Sequence, residues 1–89
     1  MSISDNKNSH RFELNMDGQI VFANYKLESD KLFINYVESP VALRGSGAAG
    51  QLMEGIVQIA KDRNYKIIPI CGYAVSWLHR HKEYQDLLA

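Results

Sequence analysis

Seven residues, Arg44-Gly45-Ser46-Gly47-Ala48-Ala49-Gly50, carry the clearest chemical signal in this sequence. Three glycines within six residues let the main chain take positive φ and let a ligand approach it closely. A helix starting there offers unpaired N–H groups and the positive end of its dipole, which suits a phosphate or pyrophosphate. Arg44 stands at the mouth and can add a bidentate contact. The alternative is a tight turn in which the glycines serve backbone geometry alone. Cys71 ends an apolar run just ahead of a second helical segment, where a helix N-terminus lowers a thiol pKa; free cysteine is also a common small buried apolar residue. Glu38 is a carboxylate at the end of a strand, either a base or simply solvated. His79 and His81 are two apart and so face different directions on a helix. They make a poor metal pair, and no metal site is expected.

The elements that position these residues follow from periodicity. Phe12, Leu14 and Met16 alternate with polar neighbours over residues 10–16, as in a strand with one wet face. Asp17-Gly18 is a preferred pair for a type I′ hairpin. Residues 19–27 alternate with apolar groups on both faces, as in a central strand. Residues 32–38 are rich in branched and aromatic side chains and form a third strand, which Pro40 terminates. The period then changes. Ala49, Leu52, Met53, Ile56 and Ala60 share one helical face, so a helix is expected over about 46–63, with Asn64 as a left-handed cap. Tyr65 to Cys71 reads as a fourth strand whose Ile67, Ile68 and Ile70 suggest burial on both sides. Pro69 marks an edge or bulge within it. A second helix covers about 73–80, with Trp77 in the core. The order β-β-β-α-β-α implies an α/β (α+β) fold: a compact mixed sheet with an antiparallel meander and one parallel strand reached through the helical crossover. Residues 1–9 read as a disordered, solvated tail and residues 10–89 as one domain.

Gly45 to Gly50 also match the dinucleotide pattern G-x-G-x-x-G. That pattern needs a βαβ context and an acid at the end of the second strand. Here the strand ends in Ile70-Cys71-Gly72 and the loop follows a meander. The P-loop pattern fails as well, since no Gly-Lys-Ser/Thr follows.

Arg44-Gly45-Ser46-Gly47-Ala48-Ala49 does satisfy the pyrophosphate-loop signature of the GCN5-related N-acetyltransferases: Gln or Arg, two residues, Gly, one residue, Gly or Ala. The chain resembles the small YjdJ-type branch of that superfamily over about residues 10–88. Further matches are Glu38 with Pro40, then Pro69-Ile70-Cys71, then Tyr73 to His81 with Glu83-Tyr84. The resemblance implies acetyl-CoA or CoA as ligand, with its pyrophosphate on the amides of Gly45 to Gly50. Its pantetheine arm would run along the splayed third strand near Val41 to Leu43. It implies acetyl transfer to an amine; Glu38 at the strand's open end is a candidate base or a solvated carboxylate, and Cys71, which the fold would place near the cofactor's sulfur, is either an acyl-cysteine nucleophile or a wall of the acetyl pocket. Tyr73 and Tyr84 are possible proton donors to a departing thiolate, or packing residues. The branch commonly carries His-Thr where this chain has Tyr36-Val37, so no role of that histidine transfers. The helices with which larger relatives enclose an acceptor have no counterpart here.

Composition narrows the alternatives. The sequence has 89 residues, ten acidic and ten basic, and one cysteine. Balanced charge leaves no basic footprint for nucleic acid. A single cysteine excludes an internal disulfide and fits a cytoplasmic setting. No apolar run reaches a membrane span, and the N-terminal residues lack the apolar core of a secretory signal. A monomer is expected. Three functions stand open: an N-acetyltransferase acting on an amine of a small molecule or protein, a CoA- or acyl-CoA-binding module without turnover, and an interaction domain with a structural glycine turn.

Overall fold

The computed structural model describes residues 3–89. Its elements are β1 (Ser4–Asn6), β2 (Arg11–Met16), β3 (Gln19–Glu28), β4 (Lys31–Glu38), α1 (Ala48–Arg63), β5 (Lys66–Pro69) and α2 (Gly72–Arg80). Short 3-10 segments occupy Val41–Leu43 and Lys82–Leu87. The five strands form one sheet in chain order. β1 to β4 are antiparallel, and β5 runs parallel to β4. The expected meander, helical crossover and parallel strand are therefore all present.

Local chemistry accounts for the turns. Asp17 and Gly18 both have positive φ, 54° and 78°, as a type I′ turn requires. The Gly18 amide donates to Asn15 Oδ1 at 3.1 Å. Asn64 caps α1 in the left-handed conformation, φ 58°, beside Lys61 and Arg63, which suit the negative end of the dipole.

The N-terminal segment departs from expectation. Ser4–Asn6, read as part of a solvated tail, pairs with β2 and adds an edge strand. Ile3 packs so closely on α1 that a Cβ at Gly55 would lie 2.7 Å from Ile3 Cγ2. Asp5 accepts hydrogen bonds from Tyr25 and from Arg63, the latter at 3.1 Å. These partners lie far along the chain, so no local pattern announces them. Met1 and Ser2 of the same segment lie outside the described residues.

The core is one-sided. Phe12, Leu14, Val21, Ala23, Leu32, Ile34 and Ile67 point from the sheet towards both helices, which contribute Leu52, Met53, Ile56, Val57, Trp77 and Leu78, all buried. Among the described residues, no helix covers the other sheet face. Ile68 is consequently only half-buried and Ile70 is 57% exposed. The expectation that β5 would be buried on both sides fails because a parallel edge strand is buried twice only when helices cover both faces. Among the described residues, no helix is long and apolar enough to cross a membrane.

Two tyrosines tie distant parts together. Tyr84 donates to Glu54 Oε2 at 2.7 Å, and that bond raises its pKa to about 12. Burial, reinforced by the bond to Asp5, raises Tyr25 to about 12 as well. Both folded values lie above the ordinary value of about 10. Their stabilisation is thus complete below pH 10 and is lost as pH rises towards 12. Phenolate absorbance should show two of the five tyrosines ionising near pH 12. The Tyr84→Phe variant should lose one of these late steps and should unfold less steeply in alkali.

Candidate functional site

The site arises where two parallel strands separate. β4 and β5 pair from Lys31↔Lys66 to Ile34↔Pro69 and no further. Pro69 brings no N–H to the ladder, and the next two amides, Ile70 and Cys71, both turn back to the Ile34 carbonyl, at 2.9 and 3.1 Å. β4 continues alone. Its register against β3 steps from Tyr25↔Ile34 to Asn24↔Tyr36, leaving Asn35 unpaired as a bulge that bends the strand. The result is an open cleft of about 440 Å³ between the free end of β4 and the start of α1. Tyr36 to Ser39, Leu43 to Gly45, Gly47 to Gly50 and Tyr73 line it.

The glycine turn forms its upper wall. Gly45 and Gly47 both adopt φ of 84°, a conformation that L side chains take only under strain. A Cβ added at either would meet nothing within 4 Å. Backbone conformation therefore calls for glycine at these two positions, and the space above them is open. The first main-chain bond entering α1 runs from Gln51 N to Gly47 O at 3.0 Å. The amides of Gly47 to Gly50 precede it and have no helical acceptor. No side chain caps this end, and its first turn contains no acid. Helix starts usually satisfy these donors with Ser, Thr, Asp or Asn at the cap. A purely structural turn gains nothing by leaving them open, whereas an anion site requires it. Ser46 does not cap; its hydroxyl donates to the Leu43 carbonyl and ties the turn to the preceding segment.

Charged and hydroxyl groups gather on the opposite wall. Arg44 is mostly exposed and stands 3.8 Å from Glu38, with its Nε donating to the Ser39 carbonyl at 3.4 Å. Such a long exposed pair is weak, so the guanidinium can turn to a bound anion at little cost. Tyr36 donates to Glu38, and this bond raises the phenol pKa. Tyr73 reaches the cleft from the first turn of α2, and burial raises its pKa. The two helices approach at Gly50, where an added Cβ would make ordinary contact with Trp77 Nε1 at 3.5 Å and the Tyr73 hydroxyl at 3.8 Å.

Not every anticipated residue lands in the cleft. Cys71 is the residue preceding α2, half-buried against the core and outside the cleft lining. Val41–Leu43 is a 3-10 turn and not a continuation of the strand, because Leu43 N bonds back to Pro40 O at 2.9 Å. Leu43 is buried and lines the cleft, but Val41 is 76% exposed and does not. Tyr84 lies against Trp77 and Glu54, away from the cleft. His81 stacks on Trp77 at 3.8 Å and is half-buried, while His79 is exposed. No group of three His, Cys, Asp or Glu that could hold a metal occurs among the described residues. Tyr36 is the residue that sequence reading passed over. Its two-residue spacing from Glu38 already placed both on one strand face.

Comparison with known proteins agrees with this architecture. The NMR solution structure of a candidate GCN5-like N-acetyltransferase from Staphylococcus aureus superposes with a TM-score of 0.71, at 21% identity, covering 99% of this chain and 87% of that one. At that identity the likeness concerns the fold. No curated protein sequence matches. The family model described as GCN5-related N-acetyl-transferase matches residues 11–87, from β2 through the glycine turn to the C-terminal 3-10 segment, and on that match the chain belongs to the GCN5-related N-acetyltransferases.

Proposed function

We propose that this protein binds acetyl-CoA in the cleft between β4 and α1 and transfers the acetyl group to an amine. The observation that carries the reading is the uncapped start of α1, with its open amides, beneath two left-handed glycines that no packing demands. These residues fit a pyrophosphate, and Arg44 stands beside them with only a loose competing partner. The main-chain groups of Tyr36 to Glu38 on the side facing away from β3 have no β5 partner, so they can bond an amide-bearing pantetheine arm. Of the anticipated strand-end contacts, Leu43 contributes an apolar wall. When bound, the cofactor supplies an activated acyl thioester.

The protein's own contribution is proton handling and placement. Glu38 lines the cleft and takes the proton that an ammonium must lose before its nitrogen can attack. Tyr73 is held protonated by burial and is the donor available to a departing thiolate. Tyr36 holds the Glu38 carboxylate in place through its hydrogen bond. Direct attack by the amine uses groups that already line the cleft. A Cys71 relay requires the thiol to move there from its packed position. Cys71 is therefore read as a packing residue beside the acetyl pocket.

Calorimetry with CoA, followed by release of free thiol from acetyl-CoA in the presence of amines, tests this reading. Binding with chemical-shift changes at residues 44–50 is expected. No binding at millimolar CoA would refute it, and binding without turnover on any amine would leave a CoA-binding module in its place. Covalent acetylation of Cys71 seen by mass spectrometry, with turnover lost in Cys71→Ala, would reinstate the relay.

A further inference from the structure

The helix-free sheet face meets the cleft at Tyr36 and Glu38. Glu38 is opposite Phe22, and Tyr36 is opposite Asn24, so both side chains leave the sheet on the face away from α1. Next to them lies an apolar shelf. Phe33 and Ile68 are register partners across β4 and β5, both half-buried. Ile70 is 57% exposed and Tyr36 48% exposed. Apolar groups exposed together as one patch, unlike scattered ones, mark interaction or ligand surfaces.

Charge around the shelf is unequal. Among the described residues, Glu38 is the only carboxylate lining the cleft. The remainder of this face carries Arg11, Lys26, Lys31 and Lys66; Arg11 and Lys26 pair with Glu13 and Glu28, Lys31 stands opposite Glu28, and Lys66 donates to the Asp86 carbonyl at 2.6 Å. A ligand seated here thus meets one anion at the cleft end, then hydrocarbon and aromatic surface, then cations at the far end. A polyamine would place its second ammonium over hydrocarbon or near lysines, where it gains no carboxylate partner and meets like charge.

We propose that the acceptor is a primary monoamine on an apolar, preferably aromatic, body, with its nitrogen at Glu38 and its body on the shelf formed by Phe33, Tyr36, Ile68 and Ile70. This rests on the acetyl-transfer reading for its chemistry. Its binding geometry stands apart from the cofactor. In the transfer, the amine nitrogen forms the new bond to the acetyl carbon as the carbon–sulfur bond breaks. Glu38 has taken the ammonium's first proton before attack; the second proton leaves the nitrogen to water as the amide forms, and the thiolate takes one from a donor such as Tyr73, which water reprotonates. Ile70 and Tyr36 then determine specificity and have no part in bond making.

The test uses 2-phenylethylamine and spermidine as probes. In the protein alone, phenylethylamine should shift the NMR signals of Tyr36, Ile68 and Ile70, and spermidine should not. With acetyl-CoA, kcat/KM for phenylethylamine should exceed that for spermidine and for a neutral lysine-bearing peptide by about tenfold or more. Ile70→Ser, at an exposed position, should raise KM for phenylethylamine about tenfold while CoA affinity holds. Preference for spermidine or the peptide, or an unchanged KM in Ile70→Ser, overturns the inference even where CoA binds and turns over. Amine shifts at the shelf without any CoA binding uphold the shelf and instead reject the cofactor reading.

Discussion

Replacing Gly47 by valine should abolish useful cofactor binding while leaving the fold in place. Gly47 sits at φ 84° and ψ 9° immediately before α1. A β-branched residue is a genuine outlier there, and the left-handed conformation costs an L-residue about 1–2 kcal/mol. No atom lies within 4 Å of the added Cβ, so the penalty is conformational and not a clash. The chain can relieve it only by rotating the peptide that aims the first amides of α1. The melting temperature of Gly47→Val should fall by about 5–15 °C, at about 4–8 °C per kcal/mol for a domain of this size. The dissociation constant for CoA should rise by about thirtyfold or more, corresponding to about 2 kcal/mol lost from misaimed charge-assisted bonds. Gly47→Asn supplies the control, because asparagine tolerates the left-handed region, and it should retain most of the affinity. An unchanged CoA affinity in the valine variant, measured by calorimetry, would remove the amide cradle from the reading.

The turn illustrates which features sequence alone displays. Gly45 and Gly47 were legible because positive φ has a one-letter signature, and so were Asp17-Gly18 and Asn64. The strands β2 to β4 and helix α1 were legible because a core on one side imposes a period on each element. Three things were not. β1 is three residues of polar sequence whose partners Tyr25 and Arg63, like Gly55 against the preceding Ile3, lie far along the chain. The exposure of Ile68 and Ile70 depends on a missing layer, and an apolar run looks the same whether or not a helix covers its second face. The cleft itself depends on the Asn35 bulge and on the parting of β5 after Pro69. Proline hinted at the second, but nothing local marks Asn35. Glu38 came to the cleft as expected. Cys71, the more conspicuous residue, stayed outside the cleft lining because β5 ends at Pro69 and Cys71 serves as the cap residue of α2, packed against the core.

Shortening Leu52 to alanine should produce a large loss of stability, and the loss should be partly reversible by ligand. Leu52 is fully buried in the second turn of the helix, two residues beyond Gly50. Large-to-small changes at such sites cost about 2–5 kcal/mol. An 89-residue domain has about 4–13 kcal/mol in all, at about 0.05–0.15 kcal/mol per residue. Urea denaturation of Leu52→Ala should therefore give a midpoint well below wild type with a similar m-value, and Leu52→Met should lose less than about 1.5 kcal/mol. The cavity lies beneath the amides proposed to hold the cofactor, but it does not alter their φ and ψ. Leu52→Ala should accordingly still bind CoA, and CoA at one hundred times its dissociation constant should return about 2.7 kcal/mol, most of what the cavity removed. Gly47→Val should show the opposite pattern, a smaller loss of which the same CoA concentration returns only about 0.9 kcal/mol for a thirtyfold weaker site. If CoA rescued both variants equally, the ligand would be stabilising the fold from somewhere other than the start of α1.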